Sequence, residues 1–227
     1  MTRAPALAEH AAPSPGWLDT PVGPAGIALG MEQPGVPALV RLFRSSPTRV
    51  GVFGPGVLAR LLVLRALGAG AQVCVRTPHP APWAALQPLA RPNAAPGLTI
   101  LPAGSPLPDG GISWLPWLLV DEVDPAAPPA RHEPAAWQAA VTVQPPLTPA
   151  AIGSVRSYDL LLVHGVAEQA VEPLRAATGI SEGGAKWLSR MPAEVIALIA
   201  GGEVRYAVMA LSPAERAALG MSSVTHR

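Results

Sequence analysis

One run of the sequence, residues 49–75, constrains the fold more than any other. Residues 49–53 are a short apolar strand candidate that ends in Gly54-Pro55-Gly56. Residues 57–67 are apolar nearly all round, which is typical of a buried helix. Residues 72–75 form a second apolar strand candidate. Strands that alternate with helices pair in parallel and are covered on both faces, so the run predicts an α/β fold with a mainly parallel sheet.

The same alternation continues along the chain. It predicts strands at residues 98–101, 117–120, 139–143 and 160–164, and helices at residues 82–90, 166–177 and 182–190. A helix is also expected to start at Thr148-Pro149, since a capping residue precedes a proline. Hairpins are predicted for residues 26–31 with 36–43, and for residues 196–200 with 203–208 around Gly201-Gly202. The spacing of Ser212 and Glu215 is that of a capping box, which predicts a terminal helix.

Composition places the chain among globular proteins and limits its partners. Of its 227 residues, 49% are hydrophobic and 14% are charged, which suits one globular domain. A formal net charge of +1 gives no electrostatic basis for binding nucleic acid or an anionic membrane surface. We expect a disordered Ala- and Pro-rich segment at residues 1–20, one domain at residues 21–220 and a flexible tail at residues 221–227. The sequence shows neither a signal peptide nor an apolar stretch of about 20 residues, so a cytoplasmic protein is predicted.

The glycine turn fits a dinucleotide-binding motif. Small residues let the backbone approach a phosphate, and a helix N-terminus offers free N–H groups to it. Residues 54–59 match the G-x-G-x-x-A pattern of Rossmann proteins. Arg76 stands where the second strand ends and would hold the 2′-phosphate of NADP. An NAD(P)-binding protein is therefore one alternative.

The turn also resembles a P-loop, but it lacks the groups that a P-loop needs. A P-loop uses a lysine on the β- and γ-phosphates and a Ser or Thr hydroxyl on magnesium. The only lysine, Lys186, lies far along the chain, and residues 59–61 are Ala, Arg and Leu. Arg60 cannot replace the lysine, because its planar head does not fit a cradle built around a point charge. The sequence therefore predicts no ATP hydrolysis.

Taken in order, the motifs resemble the FtsK/SpoIIIE superfamily, most closely the FtsK-type modules of the EccC ATPases of type VII secretion. In that family a strand pair precedes a P-loop that begins with Gly-Pro, similar to Gly54-Pro55. The Walker B strand ends in acids, as residues 117–122 end in Asp121-Glu122. The next strand ends in a Thr-Gln-Arg-Pro sensor, similar to residues 142–145 here. A Gly-Ala-rich segment before a helix and a closing hairpin complete the likeness, which covers residues 22–210.

The resemblance implies a RecA/FtsK-like three-layer sandwich with a terminal hairpin and a vestigial nucleotide site, with no cofactor required and no metal bound. The residues of that site are Gly54, Pro55, Gly56, Arg60, Asp121, Glu122 and Gln144. It implies a non-hydrolysing accessory or interaction protein of an actinobacterial type VII secretion system, with a secretion ATPase or its substrates as partner. Other interpretations remain open for two parts of the site. Asp121-Glu122 are also typical of solvated acids where a strand enters a Pro-rich loop, and Gln144 of an amide that caps a turn.

Strand neighbours distinguish the two alternatives. In a P-loop ATPase the Walker B acids lie beside the phosphate loop, so the strand ending at Val120 is expected close to the strand ending at Phe53, with Asp121 near the turn. A dinucleotide-binding fold instead pairs the first strand directly with the second. That fold would place residues 73–75 beside residues 50–53.

Overall fold

The computed structural model describes residues 22–23, 26–89, 97–122 and 133–221. The segment at residues 1–20, most of the tail at residues 221–227 and most of the Pro-rich loop after Glu122 lie outside the described residues, so the predictions for them stay predictions. None of the described helices is long and apolar enough to cross a membrane.

Among the described residues, eleven strands form one mixed sheet. They are β1 (Val22–Gly23), β2 (Gly26–Gln33), β3 (Val36–Val40), β4 (Thr48–Phe53), β5 (Gln72–Thr77), β6 (Leu98–Pro102), β7 (Trp117–Glu122), β8 (Gln138–Gln144), β9 (Leu160–Val163), β10 (Val195–Ala200) and β11 (Glu203–Val208). The strand order is β1-β2-β11-β10-β9-β4-β8-β7-β5-β6, and β3 pairs with β2 outside this path. The block from β9 to β6 is parallel, and the pairs from β1 to β9 are antiparallel.

Helices lie on both faces of the sheet, as the sequence predicts for a three-layer α/β fold. The helices are α1 (Gly56–Gly68), α2 (Ala81–Ala84), α3 (Ile152–Val155), α4 (Glu168–Thr178), α5 (Glu182–Ala185) and α6 (Pro213–Ala218), with 3₁₀ turns at Gln87–Leu89, Pro149–Ala151 and Leu188–Arg190.

The buried residues form two hydrophobic clusters. Leu58, Leu61 and Leu62 of α1 pack with Val50 and Val52 of β4 in one of them. The other cluster contains Phe53, Leu161 and Val163 with residues of α4 and α5. Because successive residues of a strand face opposite sides of a sheet, β4 contributes to both cores.

Local sequence signals were confirmed where they act over a few residues. Gly201 and Gly202 have φ values of +58° and +81°, as the two central residues of a type I′ hairpin turn require. Ser212 and Glu215 make both hydrogen bonds of a capping box.

Three predicted helices are shorter or more broken than expected. The described part of the first, residues 82–89, and the whole of residues 182–190 each divide into one α-helical turn and one 3₁₀ turn. Thr148-Pro149 does begin a helical segment, but that segment is a 3₁₀ turn followed by the four residues of α3, and the Thr148 side chain makes no capping hydrogen bond.

The strand order contradicts the dinucleotide-binding fold. β4 pairs with β8 and β9, and two strands separate it from β5. Residues 73–75 therefore do not lie beside residues 50–53, as they would if the first and second strands of a Rossmann fold were paired. The Rossmann alternative is wrong on this point.

The position of β7 agrees only in part with the Walker B prediction. β7 is the second neighbour of β4, with β8 between them. Two strand spacings of about 4.8 Å place β7 about 10 Å from β4. Asp121 is in register with Thr142 of β8, whereas Phe53 is in register with Gln144. Asp121 therefore lies two strands away from β4 and two residues short of the level of Phe53, not beside the turn.

Candidate functional site

The connection between β4 and α1 consists of two residues. β4 ends at Phe53 and α1 begins at Gly56, so Gly54 and Pro55 alone join them. A P-loop places four residues between its first glycine and its Gly-Lys pair. Two residues cannot encircle a phosphate in that way.

Packing holds Gly54 in place on the sheet side of the turn. Its φ is +144°, a conformation open to glycine, and a Cβ there would lie 2.9 Å from the Cβ of His164. The Gly54 N–H donates to the Gln144 carbonyl at 3.2 Å. Pro55 and Gly56 are exposed, and Pro55 has no N–H to offer a phosphate. The turn is thus a tight junction against the ends of β8 and β9.

Asp121 forms an ion pair with Arg76 of the neighbouring strand β5. Nε and Nη2 of Arg76 donate to the two carboxylate oxygens of Asp121 at 2.8 and 2.7 Å, and Nη1 donates to the Ser105 carbonyl at 2.8 Å. This fork geometry is the strong form of an Arg–carboxylate pair. The hydrogen bond with Asp121 raises the pKa of Arg76 above its ordinary value, against the opposing effect of burial. Arg76 therefore binds the carboxylate of Asp121, on the adjacent strand, and not a phosphate of a ligand.

Glu122 lies on the opposite face of β7 from Asp121. Its carboxylate accepts hydrogen bonds from the Thr77 hydroxyl and, at 3.1 Å, from the indole Nε1 of Trp83. Both donors are buried. Asp121 and Glu122 are the last two residues of β7 and are half-buried. The alternative interpretation, solvated acids where a strand enters a loop, is right about the strand end but wrong about solvation, because both carboxylates are bonded to side chains of neighbouring elements.

Gln144 ends β8 and belongs to a small polar cluster. Its Nε2 donates to the hydroxyl of Tyr158 at 2.8 Å, so its side-chain amide reaches across to another segment and caps no turn. The Tyr158 ring lies directly on Gly51, where a Cβ would come within 2.8 Å of it. The ring also meets Phe53 edge-on, with centroids 6.1 Å apart. A glycine in the middle of β4 thus makes room for Tyr158 beside Gln144.

An open cleft of about 720 Å³ lies over β7 and β8 on the face that carries Asp121 and Gln144. Its floor includes Leu119, Ala140 and Thr142, and α3 flanks one side. The floor is thus apolar in the middle and polar at the carboxyl ends of the strands.

Charged residues line the cleft near the amino end of β4. The Arg49 N–H donates to Oδ2 of Asp159 at 2.7 Å, and its guanidinium pairs with Glu133. Arg156 also lines the cleft and is exposed. Positive and negative groups are therefore mixed here, without a field of one sign that would draw in a polyphosphate.

Arg60 lies away from the other predicted site residues. It lines a separate groove between α1, α2 and α6. In the described part of the chain, Asp121 and Gln144 share the cleft, Gly54 is bonded to Gln144, and Glu122 lies on the opposite face. The predicted residues thus divide among three places rather than meeting at one phosphate.

Sequence reasoning missed the partners of these residues. Tyr158, Thr77 and Trp83 carry no local motif, and Arg76 was considered only as a phosphate ligand. Arg76 and Asp121 are each the second-last residue of a strand, and they lie on adjacent strands of the sheet although they are 45 positions apart in the chain. Only the pairing of those strands brings them together. Within the described ranges, no group of three or more His, Cys, Asp or Glu residues could hold a metal ion.

The sheet and the helices on its two faces define a mixed, mostly parallel α/β fold. No protein-family model and no curated protein matches the chain. Among solved structures, VirB4 of Thermoanaerobacter pseudethanolicus is similar over 86% of this chain and 99% of that chain, with a TM-score of 0.56 and 10% sequence identity. B204, the DNA-packaging ATPase from Sulfolobus turreted icosahedral virus, aligns over 72% of this chain and 98% of that chain, with a TM-score of 0.48 and 8% identity. The likeness to VirB4 confirms the fold class that the motif order predicts.

Proposed function

We propose that this chain is a non-hydrolysing relative of FtsK/EccC-type modules that acts as an accessory or interaction protein of a type VII secretion system. The observation that carries the proposal is the two-residue connection between β4 and α1. ATP hydrolysis needs a loop of backbone N–H groups around the phosphates, a lysine and a magnesium-binding hydroxyl. This junction is too short for the loop, and its sequence supplies neither side chain.

The state of the two acids supports the same proposal. A Walker B acid must be free to share magnesium with the phosphate loop. Asp121 is held by both ends of the Arg76 fork, and Glu122 receives hydrogen bonds from two buried donors on the other face. Using either acid for magnesium would break these bonds. The two carboxylates therefore stabilise the contacts of β7 with its neighbours.

Exposed aromatic residues support an interaction role. The exposed fraction of Trp114 is 80% and that of Trp187 is 61%. Trp114 is presented on a tight turn in which Ile112 and Leu115 exchange backbone hydrogen bonds of 3.3 and 3.0 Å. Tryptophans are enriched among the residues that dominate binding at protein interfaces. The type VII assignment itself rests on the ordered motifs of the sequence.

An ATPase assay on the purified full chain tests the proposal. We expect no release of phosphate from MgATP above the buffer blank, because the phosphate loop and the lysine are both missing. The matched control is the Asp121→Asn, Glu122→Gln double variant, with folding checked by circular dichroism. Turnover by the natural chain that disappears in the double variant would contradict the proposal.

The secretion-system assignment has its own test. We expect genes for type VII secretion components next to the gene for this chain, and co-purification with the secretion ATPase encoded there. A location in an isolated metabolic operon would remove this part of the proposal and leave the non-hydrolysing part standing.

A further inference from the structure

A second groove, of about 590 Å³, lies between α1, α2 and α6 and is separate from the cleft. Pro82, Pro88 and Leu89 line one side of it, and Ala214 and Ala217 of α6 line the other. Arg60 is the one charged residue among the described residues that line it. The groove is therefore apolar, with a single cation and no acid.

Arg60 is partly exposed and differs in its bonding from Arg65, a buried arginine of the core. Its Nε atom is buried and has no hydrogen-bond partner among the described residues. Arg65, on the same helix, donates to Glu215 and to the carbonyls of Ala28 and Ala210. A buried donor without an acceptor is unfavourable, and such groups are rare in folded proteins. A ligand carboxylate in the groove would supply an acceptor to this guanidinium, which has no acid of the chain among the groove residues described.

We propose that this groove binds a segment of a partner protein that places one Asp or Glu carboxylate on Arg60. A carboxylate can accept two hydrogen bonds from a guanidinium at once, which makes an Arg–carboxylate pair both strong and specific in geometry. Apolar side chains on either side of the acid would cover Leu89 and the alanines of α6. The groove is open to solvent between its walls, which suits a peptide segment better than an enclosed small molecule. The inference rests on the proposed function as an interaction protein and names the chemistry of the partner.

Selection from a random 12-residue peptide library displayed on phage, with the intact chain as bait, tests the inference. We expect recovered peptides to carry one Asp or Glu flanked by apolar residues. A recovered peptide, synthesised with a fluorescein label, is then titrated by fluorescence anisotropy. Replacing its acid by the matching amide should weaken binding at least tenfold, and so should Arg60→Met in the chain. Both changes together should weaken binding no more than either alone, because they remove the same pair.

Two further variants keep the test informative. Arg216→Met removes an exposed arginine of α6 that does not line the groove, so binding should stay within twofold of the natural chain. Ala217→Trp keeps Arg60 and fills the groove from an exposed position, so binding should be lost even if Arg60→Met fails to fold.

Three results would overturn the inference. The first is recovery of peptides without an acid, or of peptides that bind Arg60→Met as tightly as the natural chain. The second is a tenfold gain in affinity when the chain is shortened after Met221, because its own tail would then be the occupant. The third is self-association that disappears in Arg60→Met, which would assign the groove to a second copy. A negative peptide result with no ATP turnover rejects the groove alone, whereas ATP turnover rejects the proposed function.

Discussion

At the scale of single residues, two adjacent acids form hydrogen bonds with different neighbouring elements. Asp121 is bonded to Arg76 of β5, and Glu122 is bonded to Thr77 and Trp83. Successive strand residues face opposite sides of a sheet, so the two carboxylates lie on different faces of β7 and bond to different neighbours. The acids therefore stabilise the meeting point of β5, β7 and α2.

The first prediction concerns the pair of Asp121 with Arg76. Asp121→Asn leaves the Arg76 guanidinium, whose side chain is 6% exposed, without its counter-charge. Breaking a buried ion pair costs about 3–5 kcal/mol, and the 21% exposure of the Asp121 side chain reduces the expected loss to about 1–3 kcal/mol. Urea unfolding measures the change in the free energy of unfolding.

Glu172→Gln is the matched control for Asp121→Asn. Glu172 pairs with Arg175 on the exposed surface of α4 at 2.6 Å, and exposed pairs contribute little to stability. Its urea midpoint should stay close to that of the natural chain. Equal stability of Asp121→Asn and the natural chain would show that Arg76 does not depend on this carboxylate.

At the scale of elements, a buried ion pair joins α1 to α6. Arg65 and Glu215 have side chains that are both 7% exposed, and their shortest N–O distance is 2.7 Å. Glu215 also completes the capping box of α6 through the Ser212 N–H at 2.7 Å. Burial acts to raise the pKa of Glu215, but the hydrogen bonds from Arg65 and Ser212 and the charge of Arg65 outweigh it. The pKa of Glu215 is therefore lowered.

This lowered pKa predicts a specific loss of stability in acid. A carboxyl whose pKa is depressed in the folded state contributes its full stabilisation above its unfolded pKa, and that contribution is lost as the pH falls through the folded pKa. The melting temperature should therefore decrease once the pH is brought below about 4, which is the ordinary range of a glutamate pKa. Glu215→Gln should cost about 3 kcal/mol at pH 7, or roughly 6 to 12 °C in melting temperature for a domain of this size, and should lose less stability than the natural chain on acidification.

The Arg65→Met, Glu215→Leu double variant is the control for the acid prediction. Replacing both ends of a buried pair by apolar groups is often neutral, so this variant should recover part of the stability lost in Glu215→Gln. Both variants and the natural chain are compared by differential scanning calorimetry. If the melting temperatures of the natural chain and Glu215→Gln fall equally on acidification, the loss of stability in acid is not due to Glu215.

The sequence predicts elements well where the signal is local. The Gly201-Gly202 turn needs positive φ at two adjacent positions, and the Ser212 capping box closes within four residues, so neither depends on the rest of the molecule. The breaks within residues 82–90 and 182–190 were not predicted, because packing against the sheet decides where a short helix ends. The hydrogen bond of Gln144 to Tyr158 depends in turn on Gly51, whose role is visible only when the ring lies on it.

At the scale of the whole molecule, the motif order predicted the fold class, but not the arrangement of the site. An apolar strand, a tight turn and a buried helix define an α/β layer whatever the loops between them contain. The positions of Arg60, Asp121 and Gln144 relative to one another depend on strand order and register. These are long-range properties, and no spacing in the chain encodes them.

A ligand-stability measurement tests the whole-molecule prediction. A ligand that binds only the folded state at one hundred times its Kd stabilises it by about 2.7 kcal/mol, which is several degrees in melting temperature for a chain of this length. We expect neither MgATP nor NADPH to raise the melting temperature, since the turn has no phosphate loop and Arg76 is bonded to Asp121. A clear rise with NADPH that Arg76→Ala abolishes, or a clear rise with MgATP, would contradict this prediction.

Beyond β10 in the sheet, β11 pairs with β2, a strand that is synthesised much earlier. This pairing has a consequence for folding during synthesis. Met31 of β2 pairs with Val208 of β11, and Arg205 reaches Glu32, 173 positions earlier, at 2.8 Å. At 5–20 residues per second, the ribosome needs roughly 10 to 35 s to deliver the second member of that ion pair. During this interval the hairpin of β2 and β3 exposes an unpaired edge strand, the kind of surface on which chains associate wrongly. The free edge of β2 is therefore open to chaperones and to misassembly until the hairpin of β10 and β11 has been made.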